Sequence, residues 1–99
     1  MFVVVSSFAV ANGMEEEVRQ AFEHRPHRVD ETPGFVRMDV VSPTKMSNEF
    51  WLITYWTDEQ SYRSWHRGHH YKDSHIGIPK GLKLARGRTQ IRYFHHIAS

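Results

Sequence analysis

Residues 48–56 read NEFWLITYW, a run of aromatic and β-branched side chains with the composition of a strand. Side chains alternate across a strand, so Phe50, Leu52 and Trp56 point one way while Trp51, Ile53 and Tyr55 point the other. Both faces are apolar, and a fold that contains this segment must cover both. FVVVSSFAV, residues 2–10, makes the same demand. There Phe2, Val4 and Phe8 oppose Val3, Val5 and Ala9, and Asn12-Gly13 stops the strand.

The segments between these strands change period. Met14, Val18, Ala21 and Phe22 recur at helical spacing over residues 14–25, and Glu15, Glu16 and Glu17 suit the positive end of a helix dipole. Pro26 ends or kinks that helix. Thr32-Pro33-Gly34 marks a turn, and FVRMDVV, residues 35–41, alternates as a second strand up to Ser42-Pro43. The short SPTKMS link predicts antiparallel pairing with the NEFWLITYW strand. Thr57-Asp58-Glu59-Gln60 forms a capping box with Thr57 as the cap, opening a helix that carries Tyr62 and Trp65. Gly68 interrupts it, HHYKDSH supplies a further turn or two, IGIPKG is a loop, and RTQIRYFHHI, residues 88–97, is the last strand.

The order β-α-β-β-α-β predicts an α+β, ferredoxin-like fold in one domain spanning residues 1–99: a four-stranded antiparallel sheet with two helices on one face. Two helices leave the other apolar face bare. A homodimer whose sheets pack face to face, closing into a dimeric α/β barrel, resolves that.

Hydrophobic residues at 39% and charged residues at 24% exclude a disordered chain. No apolar run approaches the roughly 18 to 20 residues that cross a bilayer. MFVVVSSFAV lacks the basic head and cleavage site of a secretory signal, so the expectation is a cytoplasmic protein without a membrane partner. The absence of cysteine removes disulfides, thiolate zinc sites and cysteine nucleophiles. Net charge is +2, and the basic residues Lys80, Lys83, Arg86, Arg88 and Arg92 collect in the last third. No nucleic-acid-binding motif surrounds them, and the carboxylates of a small ligand suit them as well as phosphates do.

SWHRGHHYKDSHIGIPKG, residues 64–81, holds His66, His69, His70 and His75. The first three stand at i, i+3 and i+4, a spacing that can offer imidazoles to a metal. No acidic residue stands at zincin spacing and Gly68 falls between them, so they read as solvated surface. His75 differs: Tyr71 precedes it by one helical turn, and an inward imidazole there can ligate iron or move protons. Trp65 lies ten residues earlier, and the Gly68 break lets both converge on one cavity between helix and sheet. Ser6 is a polar group on the Phe2, Val4 and Phe8 face, where it must find a partner or line a cavity. No Gly-x-Ser-x-Gly elbow surrounds it, and no Gly-rich phosphate loop is present.

NEFWLITYWTDEQSYRSWHRGHHYKDSH resembles the central segment of the antibiotic biosynthesis monooxygenase superfamily, in particular its bacterial haem-degrading monooxygenases. FEHRPHRVDETPGF, residues 22–35, resembles the end of that family's first helix and the strand after it. The resemblance implies a dimeric barrel, with haem as both substrate and cofactor, and an external electron donor. It places the family's second-helix tryptophan on Trp65 and the axial histidine on His75. Phe22 would wall the pocket, and Lys80, Lys83 or Arg86 would receive the propionates. The family's strand-one asparagine is replaced by Ser6, whose hydroxyl donates one hydrogen bond from a shorter side chain. The same superfamily also contains cofactor-free oxygenases of polycyclic phenolic or anthrone-type substrates. A third reading is a dimeric module that holds haem or another flat, hydrophobic ligand without turning it over.

Overall fold

The computed structural model describes residues 1–25, 27–68 and 79–99. Four strands, β1 (Phe2–Ala9), β2 (Phe35–Val41), β3 (Glu49–Trp56) and β4 (Gln90–His95), form one antiparallel sheet in the order β2-β3-β1-β4. Helices α1 (Glu15–Glu23) and α2 (Glu59–Arg67) follow β1 and β3. This is the ferredoxin-like arrangement expected from the alternation of periods, with the two strongest apolar strands paired at its centre. Phe2 lies opposite Trp56, Val4 opposite Thr54, Ser6 opposite Leu52 and Phe8 opposite Phe50.

Several local features depart from the expected boundaries. The second helix is capped by Asp58, not Thr57: the Asp58 carboxylate accepts from the Ser61 N–H at 2.7 Å. Thr57 instead donates its backbone N–H to the Gly34 carbonyl at 2.8 Å, which ties the turn before β2 to the start of α2. A carboxylate accepts at a helix N-terminus more strongly than a hydroxyl because it is charged. A short 3-10 turn, Arg28–Glu31, precedes β2 and was not indicated by periodicity. Between Phe35 and Arg37 the β2–β3 register slips. The bulge keeps Phe35 edge-on to Trp56 at 5.4 Å and sends Arg37 to the other face, where its guanidinium lies 4.5 Å from the Tyr55 ring. Residues 69–78, which hold the expected second helical stretch and the start of the IGIPKG loop, lie outside the described residues, as does Pro26.

The helix-covered face holds two separate apolar clusters. In one, Phe2, Val4, Val29, Trp56 and Tyr62 are buried, with Phe35 and Trp65 packed against them. In the other, Val10, Val18 and Phe50 are buried, with Phe8, Met14, Phe22, Val40 and Leu82 against them. Trp56 is fully buried. The opposite sheet face carries Val3, Val5, Trp51, Ile53, Tyr55 and Phe94 at alternating positions, none of them fully covered.

Candidate functional site

The two clusters leave a seam, and its position follows from register. Val4 belongs to the first cluster and packs toward α2; Phe8 belongs to the second and packs toward α1. Ser6 lies between them on the same strand and points to the same side. Its row across the sheet reads Val40, Leu52, Ser6 and Ile91 from β2 to β4. Ser6 and Leu52 are both half-buried, as expected for the floor of a gap, not for a filled core. At about 3.3 Å per residue, Val4 and Phe8 stand about 13 Å apart, which sets the width of the seam along the strand.

Aromatic rings wall both sides. Trp65 projects from α2 and packs with Trp56 at 5.4 Å and Tyr62 at 6.1 Å. Phe22 projects from α1 and packs with Phe8 at 6.3 Å and Phe50 at 6.1 Å. Trp65 and Phe22 therefore belong to clusters on opposite sides of the Ser6–Leu52 pair. Trp65 packs against the first cluster and Phe22 against the second, and Ser6 lies between the two clusters on β1; His75 lies outside the described residues, as do His69 and His70. His66 is exposed on α2 with its ring 5.7 Å from Tyr62. Among the described residues no group of three histidine or carboxylate side chains could hold a metal ion.

Beyond Phe22 the floor continues into an open cleft of about 430 Å³ between α1 and β2, lined by Phe22, Met38, Val40 and Phe50 and rimmed by Arg19, Glu23, Arg25 and His27. The size falls in the range of small-molecule pockets. The rim is built by Asp30, whose carboxylate accepts from Arg25 Nη1 at 3.1 Å and pairs with His27 Nδ1 at 3.1 Å. His27 has φ +58, in the left-handed region, an uncommon conformation for a residue with a Cβ. These three residues were not singled out by sequence reasoning. Arg25 and Asp30 straddle a proline and do not share a helical spacing, so no periodic signal points to them.

Lys80 and Lys83 are exposed at the far end of β1. The Ala11 N–H donates to the Lys83 carbonyl at 2.8 Å, and the Asn12 side-chain amide donates to the Gly81 carbonyl at 2.7 Å. Their backbone is thus fixed beside residues 11 and 12, about 16 Å from Ser6 by strand rise. Arg86 is exposed in the same loop.

The antibiotic biosynthesis monooxygenase family model matches residues 1–75. The chain belongs to this family. Within the antibiotic biosynthesis monooxygenases, it is 27% identical over 66 residues to a mycobilin-producing haem oxygenase of Mycobacterium tuberculosis, a match covering 67% of this chain and 63% of that protein. The match thus spans less than two thirds of that relative's length. Among solved structures, the haem-degrader MhuD of M. tuberculosis, with two haems bound in its active site, superposes with a TM-score of 0.80 at 21% identity, over 100% of this chain and 98% of that one. SnoaB, a cofactor-independent oxygenase of Streptomyces nogalater, superposes with a TM-score of 0.76 at 19% identity, over 99% and 94%. These two superpositions establish the shared fold.

Proposed function

We propose that this monooxygenase-family protein binds haem across the Ser6–Leu52 seam and degrades it oxidatively with molecular oxygen. The observation that carries the proposal is the seam itself: a flat apolar floor between two aromatic walls, leading to an arginine-rimmed cleft. That shape fits a planar, hydrophobic ring with carboxylates at its edge. The bound haem supplies the iron at which oxygen is activated. The chain's residues supply geometry. Trp65 would press on the ring from α2, Phe22 would wall the opposite side, and the Ser6 hydroxyl would donate one hydrogen bond from the floor. Arg19 and Arg25, which also pair with Glu16 and Asp30, would receive carboxylates at the cleft, and Lys80 and Lys83, flanking Leu82 of the same cluster as Phe22, are further candidates. His75 would hold the iron, a role that rests on the resemblance alone.

The proposal extends to assembly and setting. The 99 residues act as one domain, and two copies pair through the sheet face opposite the helices. That face is apolar at its centre. In one register row Asp39 stands on the β2 edge and Arg92 on the β4 edge, so packing about a two-fold axis parallel to the strands would set opposite charges against each other. The proposed setting is cytoplasmic, with an external electron donor and neither membrane nor nucleic acid as partner. Among the described residues no helix is long and apolar enough to cross a membrane.

A second reading is cofactor-free oxidation of a polycyclic phenol or anthrone. It is favoured by the hydroxyl at Ser6, where the haem-degrading branch carries an amide, and by the likeness to SnoaB. Haemin titration separates the two. The haem reading expects a Soret shift that saturates and is lost in His75→Ala, followed by bleaching with ascorbate and oxygen. No Soret shift overturns it; a shift without bleaching reduces the protein to a haem-binding module.

A further inference from the structure

Trp65 is the inner end of a chain of ring contacts that leads out of the seam. Its ring lies 6.1 Å from Tyr62, and Tyr62 lies 6.0 Å from Tyr93. Trp56, fully buried, stands 5.4 Å from Trp65 and 5.6 Å from Tyr62 and braces both. Tyr62 is 3% exposed and Tyr93 43% exposed, so the chain runs from the wall of the proposed seam through the core to water. Tyr93 sits opposite Val4, on the helix side of β4, and a dimer formed through the other sheet face leaves it in solvent.

The outer end is also specifically dressed. The Arg63 guanidinium lies 4.7 Å from the Tyr93 ring centroid and is itself held by Glu59 at 3.1 Å. A cation there opposes build-up of positive charge on the ring and so favours release of the phenolic proton when an electron is removed. Indole and phenol are among the side chains most easily oxidised by one electron, and the chain has no cysteine to compete. Tunnelling falls off steeply with distance, so rings in contact exchange electrons far faster than rings separated by other packing.

We propose that Trp65, Tyr62 and Tyr93 form a route that carries oxidising equivalents from the seam to the surface and spares the site when oxygen activation misfires. The protective role rests on the reading that oxygen is activated in the seam. A one-electron oxidant derived from oxygen or peroxide at the bound ligand removes one electron from the Trp65 indole. Tyr93 refills that vacancy with one electron by way of Tyr62 and gives its phenolic proton to water. A soluble thiol or ascorbate then returns one hydrogen atom to the phenoxyl oxygen and is itself oxidised by one electron.

Pulse radiolysis of the ligand-free protein with azide radical, which oxidises indoles, tests the route without haem. The indolyl band should decay as a phenoxyl band rises, with first-order kinetics independent of protein concentration. Tyr93→Phe should slow this phase by an order of magnitude, Tyr62→Phe likewise, and Tyr55→Phe on the opposite sheet face should leave it unchanged. An unaltered rate in Tyr93→Phe, an exposed position where folding is not at risk, overturns the route. With haemin bound, peroxide should oxidise Trp65 several-fold faster in Tyr93→Phe, read by peptide mass; equal oxidation overturns the protective role. Because the first measurement needs no haem, its failure is distinct from failure of the haemin titration.

Discussion

Substituting alanine for Gly34 tests how α2, and with it Trp65, is held against the sheet. Gly34 has φ +87, and a methyl group there would overlap Ser61 Oγ and Cβ and lie 3.0 Å from Thr57 Oγ1. Its carbonyl already accepts from the Thr57 N–H at 2.8 Å, so the turn cannot back away without losing that bond. The left-handed backbone costs a residue with a Cβ about 1–2 kcal/mol. Overpacking adds about 1–3 kcal/mol. Together these give a loss of about 2–5 kcal/mol, a large share of the roughly 5–15 kcal/mol that holds a domain folded. Ser61→Gly removes the overlapping atoms at a cost of about 1 kcal/mol for a helical glycine. In the double variant the overpacking part should return as a coupling of about 1–3 kcal/mol, leaving the backbone part in place. Urea unfolding of the four proteins in the cycle gives each quantity. A Gly34→Ala variant within about 0.5 kcal/mol of the parent, as for an ordinary surface change, refutes the argument. Strict additivity of the two substitutions refutes it equally.

Other perturbations test the cap, the bare sheet face and the seam. The Ser61 backbone N–H, and then its side chain, hold the Asp58 carboxyl below the usual carboxylate range. A lowered folded pKa contributes stability that is full above the unfolded value of about 3.9 and is lost as pH falls through the folded pKa. Asp58→Ala should therefore lower the urea midpoint at neutral pH, and the gap should close in strong acid; a gap unchanged by acid contradicts the cap. Ile53→Asp places a charge in the centre of the face opposite the helices and should give a monomer by light scattering where the parent gives the proposed dimer, whereas an unchanged mass would show that this face is not the interface. Leu52→Trp fills the floor of the seam and should weaken haemin binding by an order of magnitude with the circular dichroism preserved; undiminished binding places the ligand elsewhere.

The architecture was legible because the periods are unambiguous. NEFWLITYW and FVVVSSFAV alternate over their whole length, and β3 and β1 became the paired central strands. The SPTKMS link was short enough to force the β2–β3 hairpin. Local chemistry was harder to read, because adjacent residues compete for the same role. Thr57 and Asp58 both precede the helix, and the charged side chain took the cap while the Gly34 carbonyl took the Thr57 amide. For the site, alternation placed Ser6 on the Phe2, Val4 and Phe8 face, and the structure shows that this is the face the helices cover. That it falls between two clusters depends on which rings pack together, which only the tertiary structure decides. The Arg25–Asp30–His27 rim was invisible for the same reason: its contacts cross a break in the helix. The resemblance supplied His75, and that position lies outside the described residues.

The most direct test of the seam as a haem site is the position of the iron in a crystal of the haemin complex, located by its anomalous signal. The account expects the iron on the helix side of the sheet, above the Ser6–Leu52 pair and between Trp65 and Phe22. Iron on the opposite sheet face, or at His66, His69 or His70, would contradict it.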